Sequence, residues 1–147
     1  MANGPRHSVS VAAAVLAEDG KVLAIQRRDN GHWEPPGGVL ELDEGPIDGL
    51  RREILEETGL LVEPVALSGV YKNLSEGIVA LVFRCRVSAG TAHVTEETAK
   101  VAWLDRGQVL TRMNEAFAIR ITDALDFAGI PAVRTHDGKY LRDNAPD

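Results

Sequence analysis

Residues 38–60 read GVLELDEGPIDGLRREILEETGL: an extended stretch, a Glu-Gly-Pro break, then one amphipathic helix. No other segment constrains the fold as tightly. Pro46 suits the first turn of a helix, where its missing N–H costs nothing, and Gly59 supplies the left-handed residue that commonly ends one. Ile47, Leu50 and Ile54 recur at helical spacing and predict the buried stripe of a helix running to Thr58. The other face is unusual. Glu53, Glu56 and Glu57 stand at i, i+3 and i+4, within roughly a 100° arc, so their carboxylates share one side. Like charges so placed repel, and raised pKa values or bound cations relieve them. Oxygen-only donors suit magnesium, manganese or calcium ahead of zinc. Magnesium in particular suits sites where a few carboxylates share the ion with phosphates. The triplet alone is equally a solvated acidic face, a common feature of helices.

Strand signals surround this helix. Residues 9–16 and 22–27 read as strands, joined through Glu18-Asp19-Gly20 as a hairpin. The apolar run at 9–17 behind Arg6 has some look of an export signal but is too short to span a bilayer. The WEPPGG segment at 33–38 excludes regular structure by its prolines and glycines. Residues 61–67, 69–73, 78–87 and 101–104 read as further strands, some joined by bulges. A short helix follows Asp105. A clearer one begins at Asn114, where Phe117, Ile121, Ala124, Leu125 and Ala128 keep helical spacing up to Gly129 and Pro131. Residues 133–147 are polar and aperiodic, which predicts an irregular, partly mobile tail without chemistry.

The 147 residues suit one domain over 1–147, with its core at about 7–130. Sixteen Lys and Arg against 22 Asp and Glu leave a net charge of −6, which repels duplex nucleic acid and anionic membrane. An acidic chain binds anionic ligands when divalent cations intervene. Cys85 is the single cysteine, so neither a disulfide within the chain nor a Cys-rich zinc site can form, and a cytoplasmic setting is expected. It reads as a small apolar packing residue. His7, His32, His93 and His136 lack ligand spacing and read as surface or turn residues. No phosphate-binding GxxxxGK[ST], HExxH or Gly-x-Ser-x-Gly motif occurs.

The full segment resembles the Nudix box at every defining position: Gly38, five residues, Glu44, seven residues, then Arg52-Glu53-Ile54-Leu55-Glu56-Glu57-Thr58-Gly59-Leu60. The order of strand, IQRR, WEPPGG, box, sheet, VAWLD and terminal helix is similar to that of a small MutT-like Nudix hydrolase across residues 9–127. The resemblance implies an α/β fold, an α/β/α sandwich with a mixed β-sheet flanked by helices. It further implies magnesium dependence, with manganese able to substitute, and hydrolysis of a nucleoside diphosphate linked to another moiety.

By the same resemblance Glu53, Glu56, Glu57 and Gly38 form the metal-holding set, and Arg52 orients a glutamate through a charge-assisted hydrogen bond. Glu44 either holds a metal through water or orders its loop. The general base is Glu57 or Glu97, the latter six residues before Trp103. Arg27 and Arg28 either meet a phosphate or sugar or form a solvated strand end. Trp33 either stacks on a nucleobase or plugs the turn.

The expected substrate is a nucleoside triphosphate, oxidised or noncanonical ones included. The chain shows neither the N-terminal dimerisation region common in ADP-ribose hydrolases nor their markers downstream of the box. The alternatives are an ADP-ribose or nucleotide-sugar pyrophosphatase and a noncatalytic nucleotide-sensing module, against which the intact carboxylate set speaks. An isomerase of allylic diphosphates is a poorer fit, since it needs an added cysteine and glutamate. The expected partner is a small nucleotide, with no duplex nucleic acid and no membrane. A homodimer stays open.

Overall fold

The computed structural model describes residues 4–142. In chain order the elements are β1 (Ser8–Val15), β2 (Val22–Arg27), β3 (Trp33–Glu34), β4 (Gly37–Val39), α1 (Pro46–Thr58), β5 (Leu61–Asn73), β6 (Ile78–Ala89) and β7 (Thr98–Leu104). They continue with α2 (Arg106–Arg112), α3 (Glu115–Leu125), β8 (Ala132–His136) and β9 (Leu141–Arg142). A six-stranded sheet has the order β4-β1-β6-β5-β8-β9, and a three-stranded sheet the order β3-β2-β7. β1 runs parallel to β6 and β5 parallel to β8, while β1 with β4 and β5 with β6 are antiparallel, so the larger sheet is mixed.

The period of two along β1 explains the layers. Val11, Ala13 and Val15 enter a core with Leu50 and Ile54 of α1, whereas Ala14 enters another with Ala118, Ile121 and Ala124 of α3. A strand covered by helices on both faces has no solvent side, and its alanines let those helices approach closely. The result is the α/β sandwich that the resemblance implied. Cys85 lies in the α1 core as a free thiol.

Several expectations need correction. β1 and β2 do not form a hairpin sheet. Beyond an isolated Leu16–Val22 bridge they part into different sheets. The WEPPGG segment is not devoid of regular structure, since β3 and β4 flank Pro35 and Pro36 and leave the two imino nitrogens between short strands. Residues 61–67 and 69–73 form one strand, with register shifts at Leu61/Val62, Pro64/Ala66 and Leu67/Gly69. On α1, Leu50 and Ile54 are fully buried, but Ile47 is 37% exposed at the first turn.

The tail is the largest departure. Residues 132–136 add to β5 in parallel and 141–142 pair back on them, while 143–147 lie outside the described residues. Parallel addition to a neighbour's backbone needs no apolar alternation, so hydropathy did not signal it. His136 is fully buried rather than at the surface.

Candidate active site

The C-terminal end of α1 fixes one wall of the site. Gly59 closes the helix at φ 78°, and a Cβ there would also collide with the His93 ring. The β6–β7 loop is fastened to this end. The His93 N–H donates to the Thr58 carbonyl at 2.9 Å, and the Thr98 hydroxyl to the Glu57 carbonyl at 3.3 Å. From β2's end, Arg28 Nη2 donates to the carbonyls of Thr98 at 2.9 Å and Thr95 at 3.3 Å. These bonds set Glu97 opposite α1. Carboxylate oxygens of Glu53, Glu57 and Glu97 lie within 4.8 Å of one another, the one such acidic group among the described residues.

The floor is β4. Gly38 passes so close to α1 that a Cβ would overlap the Glu53 carboxylate, and the Gly37 N–H donates to Glu57 Oε1 at 2.6 Å. Glu57 is only 5% exposed. Burial pushes its carboxyl up to about 8, and the charges of Glu53 and Glu97 add to that, against the Gly37 hydrogen bond. Burial raises Glu53 as well, with Arg52 opposing. A cavity of about 420 Å³ lies over the cluster, lined by Arg28, Gly38, Glu53, Glu57, Glu96 and Glu97. An oxygen-only donor set, tightly spaced and short of positive charge, fits a hard divalent cation.

Arg52 binds Glu44 through two nitrogens, at 2.6 and 2.9 Å, and its Nη1 also reaches Glu53 at 3.0 Å and Glu56 at 3.2 Å. It thereby holds the Glu44 carboxyl down to about 2 and carries both halves of the acidic face. Glu44 also accepts from the Glu41 N–H, which closes the loop before α1. Glu56 therefore stands outside the cluster, on Arg52, while Glu97 stands inside it.

The remaining candidates are placed elsewhere. Arg27 pairs with Asp29 at 2.8 Å and Glu34 at 3.3 Å, with its charge largely spent on them. Trp33 packs against the α3 core with Arg112 5.5 Å over its ring, and it does not line the acidic cavity. Across β4 lies a second cavity of about 300 Å³, sharing Arg27, Gly37, Gly38 and Val39 with the first. Its other walls include Glu34, Asn73, Phe117 and Arg120. Sequence reasoning assigned no role to Arg120, yet a signal existed: it stands four residues from both Ala116 and Ala124, on the buried face of α3.

The NUDIX domain family matches residues 6–125. A MutT-like protein of Streptomyces ambofaciens is 59% identical over 137 residues, which cover 93% of this chain and 88% of that protein. An ADP-ribose pyrophosphatase of Methanocaldococcus jannaschii is 28% identical over 106 residues, covering 67% of this chain and 63% of that protein. Among solved structures, a NUDIX hydrolase from Nitrosomonas europaea superposes with a TM-score of 0.78 at 21% identity, over 91% of this chain and 82% of that one.

Proposed function

The chain belongs to the NUDIX family and is a hydrolase of nucleoside diphosphate derivatives, and from that premise we propose that its substrate is a nucleoside triphosphate, oxidised or noncanonical ones included, with magnesium as the cation. The observation that carries this reading is the convergence of Glu53, Glu57 and Glu97 beside a cavity that shares Arg27, Gly37, Gly38 and Val39 with a second one across β4. The triphosphate occupies the acidic end and the nucleoside the other.

Glu53, Glu57 and Glu97 hold the metal, which when bound supplies positive charge against the diphosphate and lowers the pKa of water. Glu57, or Glu97 opposite it, takes a proton from the attacking water on a carboxylate oxygen. Arg52 keeps Glu53 turned inward through Nη1 and anchors the preceding loop through Glu44. Glu56, held by Arg52 beside this set, would supply a further carboxylate to the metal. Arg28 holds the loop that carries Glu97. Water attacks a phosphorus, and the leaving phosphate departs with the electron pair of the broken P–O bond.

A nucleoside diphosphate joined to a sugar is the second reading, supported by the likeness to the ADP-ribose pyrophosphatase. The test is product analysis against nucleoside triphosphates, ADP-ribose, nucleotide sugars and dinucleoside polyphosphates, each with magnesium, with manganese and with chelator. Metal-dependent release of pyrophosphate or phosphate from triphosphates is expected. Cleavage of ADP-ribose with triphosphates untouched would establish the second reading. Silence across the panel, with metal binding intact, would indicate a sensing module.

A further inference from the structure

Arg120 is 8% exposed, yet its Nε has no hydrogen-bond partner among the described residues. Its guanidinium lies between two rings, 5.3 Å from the Tyr71 centroid and 4.8 Å from that of Phe117. Neither ring accepts a conventional hydrogen bond in its plane. Asp123 is occupied, accepting from the Tyr71 hydroxyl at 2.8 Å and from Arg134 at 2.7 Å through both oxygens. Burial pulls the guanidinium of Arg120 down to about 10, with Glu34 opposing.

The neighbouring histidine makes the shortage worse. His136 is fully buried, and its Nδ1 accepts the Gly138 N–H at 2.9 Å. A neutral imidazole that accepts at Nδ1 carries its hydrogen on Nε2, and burial beside Arg120 favours the neutral ring. Nε2 lies 3.4 Å from Arg120 Nη2. Two donors therefore face each other, and a third, Arg120 Nε, faces none. Buried donors without acceptors are rare in folded proteins and mark places where something else supplies the acceptor.

Arg120 forms a wall of the 300 Å³ cavity across β4 from the acidic cluster, and Glu34 forms another wall of the same cavity. Glu34 Oε1 takes a bond from Arg27 Nη1, and burial raises this carboxyl. A donor wall beside an acceptor wall is complementary to a base edge that sets a carbonyl oxygen beside a ring N–H. Guanine, hypoxanthine and uracil have that edge; adenine and cytosine present an amino donor beside a bare ring nitrogen instead. Phe117 offers the aromatic face on which a base can stack.

We propose that this cavity selects nucleotides with an oxo base, Arg120 donating to the base carbonyl and Glu34 accepting from the adjacent ring N–H. The proposal rests on the nucleotide reading above and names the class of nucleotide within it. Inosine and adenosine triphosphates isolate the effect, because they differ only along this edge.

Two measurements test it. In the first, kcat/KM for inosine triphosphate should exceed that for adenosine triphosphate by about tenfold to a hundredfold, the discrimination a good pair of base-edge bonds supplies. Arg120→Met, which keeps an unbranched apolar stem but removes the donors, should collapse the ratio to near one. In the second, the Nε–H resonance of Arg120 in the wild-type protein is followed by NMR during titration with inosine or adenosine monophosphate in chelator. Inosine monophosphate should move it and adenosine monophosphate should not. Equal kcat/KM for the two triphosphates, an unchanged ratio in folded Arg120→Met, or equal shifts with both monophosphates would overturn the proposal. If no triphosphate is hydrolysed the substrate reading fails, and the resonance still decides the base edge, including when Arg120→Met does not fold.

Discussion

The two cavities on either side of β4 are unbalanced in opposite senses. On one side, Glu53, Glu57 and Glu97 gather acceptor oxygens with too few donors. On the other, Arg120, with His136 buried behind it, brings donors with too few acceptors. Burial drives both toward neutrality, raising Glu57 to about 8 and lowering Arg120 to about 10. A few residues away, Asp123, Tyr71 and Arg134 form a network in which each charge has its partner. That closed network holds α3 to the sheet. The lesson is that the two adjoining cavities each carry polar groups the protein leaves short of partners, which a cation with a diphosphate would complete in one and a base edge in the other.

The strongest way to break the comparison is at the acidic end. Glu57→Gln should lower turnover by roughly 10²- to 10⁴-fold, the span lost when a general base is removed, while the circular dichroism spectrum stays as in the wild type. Turnover near wild type at saturating magnesium would place the chemistry elsewhere.

A smaller effect sharpens how that end is assembled. Arg28→Ala removes two bonds to the loop carrying Glu97, so manganese affinity without nucleotide, read by calorimetry, should weaken roughly tenfold. Turnover should fall with it, with KM for nucleotide changing less and Arg28→Lys recovering part of the loss. Were Arg28 a phosphate contact, one of the two readings the resemblance left open, KM would rise and manganese affinity would hold.

The smallest effect is on stability. Glu57 has a folded pKa of about 8, above its ordinary 4.5, so between those values the folded state binds the extra proton. The stability it contributes is full below pH 4.5 and is lost as pH rises to about 8, by at most about 1.4 kcal/mol per unit. Glu53 is raised too and acts in the same direction. In chelator, Tm should fall by several degrees from pH 5 to pH 8. Magnesium should restore it at pH 8, and Glu57→Gln should flatten the profile. A flat profile for the wild type would show that the cluster is well solvated.

Much of the site was legible in the chain because it lies within one helix. Spacing along α1 put Glu53, Glu56 and Glu57 on one side, and Pro46 and Gly59 marked the ends where they fall. Arg52 was legible as their orienting partner, although not that it would hold Glu56 apart. The β6–β7 loop was harder. Its spacing to Trp103 singled out Glu97, but the clamp by Arg28, His93 and Thr98 depends on backbone carbonyls, which no residue code displays. Arg27 and Trp33, each open to two readings, have partners within the protein. The strands of the tail escaped notice because an added edge strand is held by the neighbouring backbone rather than by its own pattern.

By itself the sequence determined the family, the acidic helix and the alternation of strands and helices around it, since period and end signals are local properties of the chain. Only the tertiary structure decided which of the glutamates meet, because that depends on a loop 40 residues beyond α1 folding back upon its end. It alone also placed Arg120 against His136, from α3 and the added strand β8, and left their donors without acceptors. Burial of a polar group and the identity of its partners are properties of packing between distant segments, so they exist only once the chain has folded.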